Sequence, residues 1–360
     1  RMCRHKETGM KDSEMRDGKK SDLEFLVITF HTDEGLSSST FGFAGRGAAM
    51  AGEIANSIFK PFFIGRDPLY REKHWHEYRT ADRWWNHAPI YSYGPFDINC
   101  WLLSSMKAEQ PLYKYLGAYR DSVPIYGSSL VLNSPDAYAK EALEYQKRGF
   151  NAYKLHPPGD YDFDLEAHKA VRKAVGDDFK LMSDPVAPYT FEQALRFGRE
   201  LEKLNYYWYE EPLFDENFHN LRELTRILDI PIVGTEVLAK HPYSVAECIS
   251  TRVVDVVRAD PSWSGGITAT MKTAHLAESF GVSCEIHTAI YHPLELVNLH
   301  CCAAIKNCEF FEVLLPYDLF NFGLKESIQV KNGFAQLPNK PGLGIDLDWD
   351  FIDNTTFKKV

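Results

Sequence analysis

The chain has 360 residues and carries 50 acidic against 40 basic side chains, a formal charge of −10. That balance argues against nucleic acid and anionic membranes as partners, and no basic run interleaved with aromatics offsets it. Hydrophobic residues make up 44% of the chain, enough for a large core, yet no apolar stretch reaches the ~18 residues needed to span a bilayer.

Residues 1–21 are polar and without periodicity, and read as a loop or flexible segment. No signal peptide is visible, and a start at Arg1 suggests a trimmed or incomplete chain. Residues 22–45 alternate apolar and polar positions around Asp33-Glu34-Gly35, a hairpin signal. Residues 48–63 and 68–116 are helical in pattern, so residues 1–118 form an α+β unit. From Val123 onward the pattern repeats. Eight short apolar runs (VPIYGSS, FNAYKLH, FKLMSD, YYWYE, IPIVGTE, VDVVRAD, VSCEIH and FFEVLL) alternate with amphipathic helices. Ser134 and Thr190 stand where helix caps belong. Strands and helices alternating in this way predict a (β/α)8 TIM barrel over residues 119–320, with 321–360 returning to the first unit.

The barrel strands run up to ionisable residues: His156, Asp184, Glu210, Glu236, Asp260, His287 and Glu312, spaced by 24 to 28 residues. In a barrel these ends share one face, where active sites lie. A single strand-end Asp is ordinarily a solvated residue or a helix cap; seven such residues in register point to a site. Asp184, Glu210 and Glu236 would repel one another unless a cation bound them, and an all-oxygen set suits Mg2+ better than zinc. Glu211 competes with Glu210, but the 26-residue step on both sides favours Glu210. Asp260 can orient His287 and raise its basicity, making that pair the expected general base. Lys154 and His156, two residues apart on one strand, face the same way and should lower each other's pKa, fitting one of them for a second acid or base. The blander alternative is a solvated Lys with a supporting His. The seven cysteines (Cys3, Cys100, Cys248, Cys284, Cys301, Cys302 and Cys308) are odd in number and contain no Cys-x-x-Cys pair. A disulfide framework or zinc site is not expected, and a reducing cytoplasm fits.

In order and spacing, VITFHTDEGL, YSYGPFDINCWLLSSMKAEQPLYKYLG, WYEEPL, IVGTE, RADPSWSGGIT, CEIH and PGLGIDLD resemble the mandelate racemase-like subgroup of the enolase superfamily. The resemblance implies a TIM barrel under an α+β capping domain built from both chain ends, with the first capping strand missing before Arg1. It matches Asp184, Glu210 and Glu236 to Mg2+ ligands, Asp260 and His287 to the base dyad, and Glu312 to the acid that stabilises the enolate oxygen. A Lys or His base beside Mg2+ is general in this superfamily. The sixth barrel strand carries Arg258-Ala259-Asp260 and no lysine, which argues against the muconate-lactonising subgroup. Two departures argue against a symmetric two-base racemase: Lys154-Leu155-His156 replaces Lys-x-Lys, and Val186 stands where a polar amide is common.

The implied chemistry is removal of the proton α to a carboxylate through an enediolate, with Glu312 acting if protonated or strongly hydrogen-bonding. A β-hydroxyl would then leave with a proton from His287 or His156. The leading expectation is a lyase: an acid-sugar dehydratase giving a 2-keto-3-deoxy acid. The rival is a racemase, epimerase or cycloisomerase, and a non-catalytic barrel comes third. The expected partner is a small acid-sugar carboxylate, and a homo-oligomer is expected. Arg46 is a candidate substrate contact, though a helix-start or surface ion-pair role fits it equally, and Trp84-Trp85 are candidate pocket residues that read more simply as core.

Overall fold

The computed structural model describes residues 1–5, 22–45, 47–84, 88–237, 242–288 and 290–360. Arg46 and Trp85 lie outside them. Trp84 is exposed at the end of its helix, with the Arg83 guanidinium over its ring, and so belongs to neither core nor pocket.

The first element corrects the expected loop. Met2–His5 is a strand, β1, antiparallel to β2 (Leu23–His31), with Met2 and Cys3 fully buried. Four residues are too few to show a period, so the sequence hides this strand. A capping strand therefore does precede the hairpin, contrary to the expectation that it was missing. β2 turns at Asp33-Glu34-Gly35 into β3 (Ser37–Phe43), as predicted. The helical region follows as α1 (Ala48–Ile54), a π-turn at Ala55–Phe59, α2 (Lys60–Phe63), α3 (Arg71–Trp84), α4 (Ile90–Lys107) and α5 (Leu112–Tyr115).

Eight strands then alternate with helices: β4 (Ser122–Ser128), α6 (Pro135–Lys147), β5 (Ala152–Leu155), α7 (Tyr161–Val175), β6 (Lys180–Ser183), α8 (Phe191–Lys203), β7 (Trp208–Glu210), α9 (Phe218–Ile227), β8 (Ile232–Gly234), α10 (Pro242–Ser250), β9 (Val256–Ala259), α11 (Ile267–Ser279), β10 (Ser283–Ile286), α12 (His292–Ala304) and β11 (Phe311–Leu314). Ser134 caps α6, and Thr190 forms a capping box with Gln193 at α8, as their positions suggested. Parallel ladders join β4 through β10 in order, and β11 pairs with β4. Between β10 and β11 the described residues form no ladder. The seam is bridged by the Glu285 carboxylate, which accepts the amides of Glu309 (2.7 Å) and Phe310 (3.2 Å). The eighth helix, expected in full, is one turn, α13 (Tyr317–Phe320). The tail then forms a hairpin of β12 (Val330–Lys331) and β13 (Phe334–Gln336), with β13 paired to β4, before α14 (Trp349–Thr355) and β14 (Thr356–Lys358), which pairs with β1. The fold is thus a TIM barrel with a capping sheet built from both ends of the chain.

All seven cysteines are buried and free, and no helix among the described residues is long and apolar enough to cross a membrane.

Capping helix α4 meets the barrel without side-chain padding. A Cβ on Gly94 would stand 2.8 Å from the Pro261 carbonyl oxygen, and one on Gly266 would overlap Asp97. Asp97 accepts the Thr268 amide (2.9 Å) and hydroxyl (2.7 Å) at the start of α11. Burial pushes its pKa to about 6 against those hydrogen bonds, from an ordinary value of 3.8. The folded state therefore holds this proton between pH 3.8 and about 6 while the unfolded chain has lost it, so this contribution to stability is lost as pH rises. Asp97→Asn cannot ionise. Its stability relative to the wild type, from urea unfolding, should improve by about 2 kcal/mol between pH 4 and pH 7. A difference that stays constant with pH would contradict this.

Candidate active site

Strand alternation sorts the barrel interior into layers. Tyr126, Ala152, Met182, Trp208, Val233 and Phe310 form an apolar floor. Two residues further along the same strands, period-two geometry places Lys154, Asp184, Glu210 and Glu312 in the layer above. Arg258 joins that layer from β9, and Asp260 and His287 stand at the ends of β9 and β10. Glu312 is the second residue of β11 rather than a strand end.

Lys154 Nζ lies 3.1 Å from Asp184, 2.9 Å from Glu210 and 3.0 Å from Glu312. Arg258, fully buried, places Nε 2.8 Å from Glu210 and pairs Nη2 with Glu312. These contacts overturn the expected mutual lowering of the Lys154 and His156 pKa values. Burial disfavours the lysine cation, but Glu210, Glu312 and Asp184 outweigh it and hold Lys154 well above its ordinary value. His156 is likewise raised: burial and Lys154 oppose its proton, and Asp184 wins. The geometry agrees. His156 Nδ1 is 2.8 Å from the Ser129 carbonyl and Nε2 is 2.9 Å from Asp184, so both ring nitrogens face acceptors and carry protons. Glu312 is also not the protonated acid considered above. Burial alone would raise it, but Lys154 and Arg258 hold it far below the usual carboxylate range.

His287 donates from Nδ1 to Asp260 (2.8 Å), and its Nε2 faces Glu236 (3.2 Å). Asp260 is itself fixed by the Ser262 amide and hydroxyl, both at 2.6 Å. The Trp263 ring covers the imidazole with centroids 4.5 Å apart, and Phe43 from the capping hairpin packs edge-on against that indole. The rim is strained. Val186, Ala187, Glu211, Thr235 and Ile290 adopt left-handed backbone after β6, β7, β8 and β10. Such conformations are costly for β-branched residues and cluster at functional sites.

One oxygen each from Asp184, Glu210 and Glu236 lies within 4.8 Å of the others, a spacing that could hold a metal ion. Six carboxylates (Asp184, Glu210, Glu211, Glu236, Asp260 and Glu312) face two permanent cations, Lys154 and Arg258. The deficit shows in two of them. Burial and the neighbouring anions push Glu236 to about 7 despite His287 and Arg258, and burial together with Glu236 and Asp184 raises Glu211 strongly. Glu210 Oε1, although near Arg258, makes no hydrogen bond. A buried oxygen held by an ion pair but lacking hydrogen-bond geometry, within an anionic, all-oxygen donor set, fits a hard divalent cation. A groove of about 870 Å3 under the capping sheet, lined by Ile28, Phe30, Phe63 and Phe96, contains none of these groups.

Sequence reasoning missed Arg258 as a member of the site, although its place two residues before Asp260 would have put it on the inward face. It also passed over Asp215, Trp263 and Glu285, which carry no spacing signal.

Residues 137–351 match the Enolase C-terminal domain-like family model. The chain belongs to this family. Its sequence is 31% identical over 316 residues to arabinonate dehydratase of Saccharolobus solfataricus, covering 84% of each chain. It is 29% identical to L-talarate/galactarate dehydratase of Salmonella typhimurium, covering 94% of this chain and 85% of that one. Among solved structures, D-glucarate dehydratase from Agrobacterium tumefaciens, complexed with magnesium, aligns with a TM-score of 0.88 and 32% identity over 99% of this chain and 97% of that one. This enolase-superfamily chain is therefore mandelate racemase-like in both sequence and fold.

Proposed function

We propose that the protein is a Mg2+-dependent acid-sugar dehydratase, a hydro-lyase. Asp184, Glu210 and Glu236 would hold the ion, and its chemistry when bound is Lewis-acid stabilisation of negative charge on the substrate carboxylate. The observation that carries the reading is the aim of His287. Asp260 fixes its Nδ1–H, so the basic nitrogen Nε2 points at the carboxylate cluster where an acid would bind. Nε2 takes the proton α to that carboxylate. His156, whose two ring nitrogens both face acceptors, supplies a proton to the departing β-hydroxyl. Lys154, Arg258 and Glu312 serve as the fixed electrostatic floor under the reacting acid. The three relatives named above are acid-sugar dehydratases, which supports the substrate class.

The test is turnover of a library of aldonic and aldaric acids in D2O with Mg2+. A 2-keto-3-deoxy acid from at least one member is the expected product. Deuterium incorporated at Cα with no loss of water would replace the dehydratase with a racemase or epimerase, and no reaction or exchange with any member would count against both.

A further inference from the structure

Of the three acidic residues in the cluster, one is out of step with its strand. Met182 and Trp208 point into the barrel, so Asp184 and Glu210, two residues on, point inward as well. Val233 is also an inward residue, and by the same alternation Thr235 should follow it inward while Glu236 faces away. Glu236 nevertheless lies beside His287 and 3.8 Å from Arg258. The change of parity is made at Thr235, whose φ of 73° is a left-handed conformation that a β-branched residue adopts only under constraint.

We infer that Asp215 is the positioning residue that imposes this turn and so aims Glu236 into the metal site; the inference rests on the metal reading above. Asp215 lies in the loop between β7 and α9 and is buried. Its Oδ1 accepts the Thr235 amide at 2.8 Å and its Oδ2 accepts the Val237 amide at 3.0 Å. The two oxygens of one carboxylate thus grip the two amides that flank Glu236. The grip needs close approach: a Cβ on Gly234 would stand 3.1 Å from Asp215 Oδ1. On the other side, the Thr235 hydroxyl accepts the Arg258 amide (3.1 Å) and donates to the Arg258 carbonyl (3.2 Å), replacing ladder bonds that the turn forgoes. Thr235 is therefore held from both the loop after β7 and β9. The Arg258 backbone it binds carries the guanidinium that pairs with Glu210 and Glu312, so one connected unit sets Glu236 and Glu210 together. Outer partners of this kind tune metal affinity by roughly 10- to 100-fold.

The test is a Mn2+ titration of the full chain, following free Mn2+ by its EPR signal, for wild type, Asp215→Ala, Asp215→Asn, Glu236→Gln and Tyr206→Phe. Tyr206→Phe removes a buried hydrogen bond to the His168 carbonyl, away from the rim, and serves as a stability control. Asp215→Ala should weaken Mn2+ binding about 10- to 100-fold. Asp215→Asn, which keeps one acceptor oxygen, should fall between it and the wild type. Tyr206→Phe should melt earlier yet bind Mn2+ as the wild type does. If both Asp215 variants bind Mn2+ within about two-fold of wild type, Asp215 only braces a loop and the inference is overturned. Should Asp215→Ala fail to fold, the Asn variant decides by the same criterion. Equal binding by wild type and Glu236→Gln is a different result, because it removes the metal reading itself and this inference with it.

Discussion

His287→Asn should lower kcat on an accepted acid sugar by roughly 10²- to 10⁴-fold, the usual worth of a general base, with little change in KM. It should also abolish exchange of the substrate α-proton in D2O, while Mn2+ binding persists because the imidazole is not among the proposed ligands. Activity within a few-fold of wild type would remove His287 from the mechanism. The pH dependence adds a signed test. Burial disfavours the imidazolium, but Glu236 and Asp260 outweigh it and hold the His287 pKa above its ordinary 6.5. A base must be neutral to act, so kcat/KM should rise with pH as the imidazole of the Mg2+-loaded enzyme loses its proton. Asp260→Asn removes one of the anions and should shift the acid limb to lower pH. Its plateau should also fall, since the ring loses the acceptor that fixes its tautomer. A limb that moves to higher pH would contradict the electrostatic account.

The second large effect concerns Lys154, the only lysine in the charged layer described above. It lies within 3.1 Å of three buried carboxylates. Removing one partner of a buried ion pair leaves uncompensated charge and costs about 3–5 kcal/mol. Lys154→Met in EDTA should therefore melt well below wild type. Added Mg2+ should raise the melting temperature of the variant more than that of the wild type, because the ion supplies positive charge the variant lacks. Binding to the folded state alone is worth about 2.7 kcal/mol at a hundred times Kd, so the recovery should be substantial but incomplete. Equal melting of variant and wild type in EDTA would show that Lys154 does not balance the cluster.

The parts of this site that were legible in the sequence follow from strand periodicity. Asp184, Glu210, Asp260 and His287 end apolar runs at the spacing of one strand-helix unit, so their convergence needed only the barrel. The pairing of Lys154 and His156 on one face was equally readable, but its electrostatics were not. Two neighbouring cations look mutually destabilising until Glu210, Glu312 and Asp184 arrive from other strands. Which of the two states allowed for Glu312 applies was hidden for the same reason, because Arg258 and Lys154 reach it only across the barrel interior. Glu236 was placed correctly by its spacing, although the local alternation contradicts it and the turn at Thr235 leaves no mark in the residue pattern. In the fold, β1 was hidden by its length of four residues, and the eighth helix shrank to one turn because the chain leaves there for β4 and the capping sheet.

The most direct test of the account is an anomalous-difference map from crystals soaked in Mn2+. One peak bounded by carboxylate oxygens of Asp184, Glu210 and Glu236, on the side that His287 Nε2 faces, is the expected result. A peak held by Glu211 in place of Glu210, a peak elsewhere, or none at saturating Mn2+ would contradict it.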